Sequence, residues 1–219
     1  MYTPVDVTPP ELQPHALTNP EPWIIDTQTD PTQITDWPAR QATAIVPFTL
    51  DTRGWPLNPT GRTGKTGRNL GKWGETQAAD PIVIAGTSTH QRILLIRRSD
   101  TGQWAIPGGK VDPGETAPAA LVRELAEETG VDLSGMSPRI LWRGYVNDPR
   151  NTDHAWITTT VALYRVTEMV PTVAGDDATD ARWWPWTGDV NQLAEVLADH
   201  GGLYDAHRTL LGRAAQTHY

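Results

Sequence analysis

Glu124, Glu127 and Glu128 stand at positions i, i+3 and i+4. On a helix of about 3.6 residues per turn that spacing puts all three carboxylates on one face. Leu121 and Leu125 lie four apart on an adjacent stripe, suited to packing on a sheet. Like charges at this spacing repel, so the cluster weakens an isolated helix unless a cation sits among them. All-oxygen ligands favour a hard cation, Mg²⁺ first and Mn²⁺ as the alternative. Taken alone, the cluster also fits a solvated acidic helix face. The flanks fix the helix: it runs from Ala117 to Thr129, tolerates Pro118 only in its first turn, and stops at Gly130. Ahead of it, Gly108-Gly109 lets backbone carbonyls approach a metal closely, and Pro113-Gly114 supplies a turn. Glu115 can then reach back to Arg123 and hold the loop against the helix.

Bulk properties narrow the partners. The 219 residues carry a net charge of −8, which argues against a nucleic-acid binder. Without cysteine there can be no disulfide, no Cys nucleophile and no Cys-based zinc site. The first 30 residues hold no Lys or Arg and no long apolar run, so no signal peptide is expected. No stretch approaches the ~20 apolar residues of a membrane span. The chain reads as soluble and cytoplasmic, with a small-molecule partner and an open oligomeric state.

The chain changes character along its length. Eight prolines fall within the first 40 residues, which predicts no helix of useful length there. An extended surface arm, ordered in part by Trp23 and Trp37, is the simpler reading; a substrate gate is the sharper one. Ala44–Leu50 reads as a short strand. Residues 52–74 hold Arg53, Arg62, Lys65, Arg68 and Lys72 with no acid until Glu75, and glycine recurs throughout. This reads as a flexible cationic loop, either covering a diphosphate or plainly structural. Gly64-Lys65-Thr66 is no P-loop, because Pro59 stands where that motif needs glycine. Strands are expected at 81–85, 92–97, 140–146, 155–166 and 182–186, and helices at 189–200 and 204–215. Trp183, Trp184 and Trp186 are expected to pack rather than react, and His154 to sit at a strand edge. Strands on both sides of a central helix suggest an α/β protein, a mixed β-sheet sandwiched between α-helices.

The segment from Gly109 to Val131, with Glu115, Arg123-Glu124-Leu125, Glu127-Glu128 and Gly130 at fixed intervals, resembles the Nudix box at every specified position. On this resemblance the chain is identified as a member of the Nudix family, with residues 1–79 as a Pro-rich arm and basic loop and 80–219 as the hydrolase domain. The resemblance implies the Nudix fold, metal-dependent cleavage of a nucleoside diphosphate derivative, and roles for residues. Glu124 and Glu128 resemble the main metal ligands, Glu127 a third ligand or a base, and Gly108 a backbone ligand. Asp176 or Asp177, in a Gly-Asp-Asp loop, is the other candidate base.

Further segments resemble the mitochondrial-type ADP-ribose pyrophosphatases and the ADP-ribose-binding domain of melastatin-type channels. They include Asn58–Gly64, Gly71–Gly74, Ala78–Val83, Gly144–Asp153 and Leu203–His207. The resemblance implies ADP-ribose as substrate, with Arg62, Asp148, Arg150, Asp153, Tyr204 and His207 binding it. Physically, Arg150 suits a phosphate, Asp148 ribose hydroxyls, and Tyr204 an adenine or ribose face, with His207 one helical turn on. An Asx- and Pro-rich turn at 148–153, and ordinary packing at Tyr204 and His207, remain the alternatives. Another nucleoside diphosphate derivative, or non-catalytic sensing of ADP-ribose, is the rival function.

Overall fold

Residues 82–85, 93–96 and 161–164 are apolar without a break, the pattern of strands buried on both faces. The computed structural model, which describes residues 2–87 and 90–217, arranges them that way. In chain order its elements are β1 (Val5–Asp6), α1 (Trp37–Thr43), β2 (Lys65–Thr66), β3 (Gly74–Ala85), β4 (Arg92–Arg98), β5 (Trp104–Ala105) and β6 (Gly109–Lys110). There follow α2 (Ala117–Thr129), β7 (Arg139–Tyr145), β8 (Ala155–Val166), β9 (Ala178–Pro185), α3 (Val190–Leu197) and α4 (Arg208–Ala215). The chain forms two compact units, Met1–Gln77 with Gly144–Thr158, and Ala78–Arg143 with Thr159–Tyr219. The segment 144–158, read from sequence as part of the second region, thus groups with the first.

The second unit carries the sheet. Strand order is β5-β4-β3-β8-β7, with β6 pairing β3 and β9 pairing β4. Period-two alternation then sorts each apolar run onto two faces. Ile82, Ile84, Ile93, Leu95, Val161 and Leu163 pack with Leu193 and Leu197 of α3 and Leu210 and Leu211 of α4. Val83, Leu94, Ala162 and Tyr164 pack with Ala120, Leu121 and Leu125 of α2. Each fully buried aliphatic side chain stabilises by about 1.5–3 kcal/mol, so α2 is pinned by its apolar stripe while its acidic face stays available. Trp184 and Trp186 belong to the first of these cores, as the tryptophan run suggested. Trp183 donates its indole N–H to the Val170 carbonyl at 2.9 Å.

Helix ends follow local chemistry. Thr116 caps α2, and Gly130 closes it at φ 70°, its N–H donating to the Ala126 carbonyl. The stretch 189–200 is shorter than expected: Asp189 lies outside as the cap of α3, and Ala198–His200 tightens into a 3-10 turn ended by Gly201. Likewise 204–215 begins with Tyr204 as a cap and a 3-10 turn at Asp205–His207 before α4. Among the described residues no helix is long and apolar enough to cross a membrane.

The first unit has little regular structure but its own core, in which Trp37, Phe48, Trp73 and Trp156 meet. Three expectations change here. Ala44–Leu50 forms no strand, because Pro47 lacks a donor and the Glu75 carboxylate takes the N–H groups of Ile45 and Val46 at 2.9 and 3.1 Å. The arm does hold a short helix, α1, entered through Pro38 in its first turn, with Trp37 buried. The cationic loop is not free throughout, since Arg68, Leu70 and Trp73 are buried.

At Gly130 an added Cβ meets Val173 only at ordinary contact distance, so the positive φ alone sets the cost. Gly130→Ala is expected to lower stability by about 1–2 kcal/mol, read from urea unfolding midpoints with an unchanged m-value.

Candidate functional site

Arg123 ties the site together. Its Nε and Nη2 donate to the two oxygens of Glu115 at 3.0 and 2.9 Å, the bidentate pair expected from the sequence. Nη2 also donates to the Lys110 carbonyl at 2.9 Å. Nη1 bridges Glu124 and Glu127, each at 2.9 Å. One planar guanidinium therefore clamps the loop before α2 onto the helix and orients two of its acids, a geometry lysine cannot reproduce. These contacts raise the Arg123 pKa above its ordinary value and lower that of Glu115, chiefly through their mutual hydrogen bonds.

The three glutamates do not share one environment. The Glu127 side chain is half-exposed and held by Arg123. Glu124 and Glu128 are buried, at 7% and 4% exposure. Burial pushes Glu124 up to about 7, against the pull of Arg123. Burial pushes Glu128 up to about 9, against a hydrogen bond from the Gly108 N–H at 2.7 Å and with Glu124 and Asp177 adding to the rise. Asp177 lies within hydrogen-bond reach of Glu128. Its neighbour Asp176 is the one non-glycine residue at positive φ among the described residues, at 50°.

Two glycines make this packing feasible. A Cβ on Gly109 would stand 2.6 Å from both Glu124 carboxylate oxygens. A Cβ on Gly108 would stand 2.4 Å from the Ala79 carbonyl and 2.7 Å from Asp80 Oδ1. The double glycine thus serves close approach of the two acids as well as backbone access.

Asp80 was not singled out as a site residue from the sequence. It is buried beside Gly108, accepts a hydrogen bond from the Thr159 hydroxyl, and is pushed up to about 6 by burial. The available signal was a lone acid at the head of an apolar strand, in Ala78-Ala-Asp-Pro-Ile-Val83.

Among the described residues no three His, Cys, Asp or Glu side chains already enclose a metal position. The donor chemistry nevertheless fits a hard divalent cation: two buried carboxylates whose ionisation burial opposes, with the Gly108 carbonyl as an oxygen donor. Glu124, Glu128 and Gly108 are the residues that would hold it.

The other expected substrate residues fall in two places. In the second unit, Tyr204 and His207 meet edge to face at 5.1 Å, the Arg98 guanidinium lies 4.9 Å from the Tyr204 ring centre, and the Ile106 N–H donates to His207 Nδ1 at 3.0 Å. In the first unit, Arg150 and Asp148 bond each other through two contacts of 2.9 Å. Asp153 accepts from the Tyr2 hydroxyl and the Thr63 N–H, both at 2.7 Å, and the Arg62 guanidinium lies 4.1 Å from the Tyr2 ring centre. His154 is buried, with Nδ1 2.8 Å from the Pro56 carbonyl. The Lys65 ammonium donates to the Pro149 carbonyl.

The model of the NUDIX domain matches residues 76–204. A Caenorhabditis elegans protein named as a nudix hydrolase is 42% identical over 164 residues, 68% of this chain and 62% of that protein. The mitochondrial ADP-ribose pyrophosphatase of Rattus norvegicus is 36% identical over 184 residues, 67% of this chain and 51% of that protein. The chain thus spans between one half and two thirds of the length of these curated relatives. The NUDIX domain of Shewanella oneidensis NrtR, solved with ADP ribose, superposes with a TM-score of 0.51 at 23% identity, covering 64% of this chain and 86% of that one. That likeness shows the fold.

A carboxyl whose pKa is raised by folding adds stability only while it is protonated, and that contribution is lost as pH rises from its unfolded pKa through its folded one. In a chelator, thermal stability is therefore expected to fall between about pH 5 and about pH 9 as Glu124 and then Glu128 ionise. Glu128→Gln should flatten that slope, and a divalent cation should restore the wild-type protein most at the alkaline end. A slope unchanged in Glu128→Gln would contradict this account.

Proposed function

The chain belongs to the Nudix family, and we propose that it is a Mg²⁺-dependent pyrophosphatase that hydrolyses ADP-ribose to AMP and ribose 5-phosphate. The observation that carries the catalytic reading is the buried pair Glu124 and Glu128, set against Gly108 and Gly109 and clamped by Arg123. The substrate reading is supported by the relative named as an ADP-ribose pyrophosphatase. It is supported too by the segments around Asn58, Gly144 and Leu203 that lie outside the box.

Hydrolysis adds one water across the P–O–P bridge and breaks one phosphorus–oxygen bond. A divalent cation bound at Glu124 and Glu128 supplies charge neutralisation at phosphate oxygens and acidifies a bound water. The residues of the chain do the rest. Arg123 fixes the loop and keeps Glu124 in one rotamer. Asp177, within reach of Glu128, is placed to take the proton from water; Glu127, exposed and committed to Arg123, is the less suitable base. Tyr204, with Arg98 against its ring, offers a flat apolar surface for a base or ribose. Arg150 and Asp148 exchange their mutual pair for phosphate and hydroxyl partners when substrate arrives.

Purified protein is to be incubated with Mg²⁺ and ADP-ribose, NADH, a nucleotide sugar, a dinucleoside polyphosphate or oxidised dGTP, and the products separated. AMP and ribose 5-phosphate should appear from ADP-ribose at the highest kcat/KM. Glu124→Gln and Glu128→Gln should each reduce turnover by at least ~100-fold, since even outer partners of metal ligands cost about 10–100-fold. Faster turnover of another compound would overturn the substrate, and near-normal turnover in both variants would overturn the assigned roles.

A further inference from the structure

Arg68 in the first unit is 1% exposed, a guanidinium almost wholly withdrawn from water. Its Nη1 donates to the Asp26 carbonyl, while Nη2 is buried with no hydrogen-bond partner. The nearby Asp26 carboxylate is already engaged: it receives the two terminal nitrogens of Arg40 at 2.9 and 2.7 Å and the Trp73 N–H at 2.7 Å. A buried cation whose one neighbouring anion is committed elsewhere is costly, and burial accordingly pulls the Arg68 pKa below its ordinary value.

The same guanidinium lines a cavity of about 290 Å³. Trp55 and Trp73 form apolar walls, and Thr8, Thr29 and Thr66 place hydroxyl-bearing side chains around the rim. The Arg68 guanidinium lies 5.5 Å from the Trp73 ring centre, which holds its plane in position. Gly67 crosses the cavity without a side chain; a Cβ there would stand 2.1 Å from the Thr8 hydroxyl. Asp6 also lines the cavity, but its Oδ1 accepts the Thr8 N–H at 2.9 Å, and the residue is exposed.

From this geometry we infer that the Arg68 cavity binds a phosphate group, either free or as a small monoester, at a site separate from the glutamates of α2. A tetrahedral oxyanion accepts from a guanidinium and from several hydroxyls at once, which matches the donors present. The exposed carboxylate of Asp6 limits the charge the cavity takes, favouring one phosphate over a diphosphate. The cavity exceeds what a bare phosphate fills, so a short ester tail can lie between the two indoles.

The test uses the full chain labelled with 5-fluorotryptophan, in a chelator so that no cation at α2 can hold phosphate. The Trp55 and Trp73 resonances are assigned through Trp→Phe variants, and inorganic phosphate, then glycerol phosphate, is titrated against chloride at equal ionic strength. Both resonances should shift saturably at about 1–10 mM phosphate and not with chloride. Arg68→Met should weaken binding by about tenfold or more and Thr66→Val by a smaller factor. Tighter binding of the ester identifies the monoester as the preferred form, and equal binding identifies the free anion. No saturable shift, or an unchanged one in folded Arg68→Met, overturns the site. Should Arg68→Met fail to fold, an unchanged titration in Thr66→Val overturns it equally.

Discussion

Two carboxylates buried close together on one helix face set the terms for everything around them. Glu124 and Glu128 can share that space only if some neighbour offsets their charge and no side chain intrudes. Arg123 supplies part of the offset from within the helix. The Gly108 N–H supplies another part from the preceding loop. Gly109 supplies the room. The remaining unfavourable charge is the property that suits the pair to a divalent cation, because the same burial that raises their pKa values strengthens their attraction for one.

That arrangement rests on how firmly α2 is held. Its apolar stripe, Ala120, Leu121 and Leu125, locks into one face of the sheet while α3 and α4 cover the other. A helix carrying mutually repelling glutamates would fray if left alone. Packed against β3, β4 and β8, it becomes a rigid platform for an electrostatically strained site. The Gly175–Asp177 loop brings a further acid to Glu128, so the charge density grows rather than relaxes. Stability here comes from the apolar side of the helix, and chemistry from the opposite side.

The first unit solves a different problem. With few strands and many prolines, it satisfies backbone donors through carboxylates: Glu75 for Ile45 and Val46, Asp51 for Arg53 and Trp55, Asp153 for Thr63. Its aromatic core of Trp37, Phe48, Trp73 and Trp156 stands in for a sheet. Most cations of its glycine-rich loop have local partners: Arg53 pairs with Asp51, Arg62 stacks on Tyr2, and Lys65 binds a carbonyl. Arg68 stands out against that background, which is why its unmatched nitrogen carries meaning.

Much of this was legible in the chain itself, and for a physical reason. The limits of α2 and β8, the Glu115–Arg123 pair and the double-faced strands follow from spacing, capping and periodicity, all of which are local. The spacing of Glu124, Glu127 and Glu128 fixed a shared helix face, and the resemblance to a known box supplied the family. What spacing could not reveal was burial. The fold decided that Glu127 turns outward to Arg123 while its two neighbours turn inward. It decided that Asp80 lies beside Gly108, that Glu75 replaces a strand ladder at Ile45, and that Arg68 is sealed from solvent. Each of those outcomes depends on residues distant in sequence competing for the same donors and the same space, and only the packed chain settles such a competition.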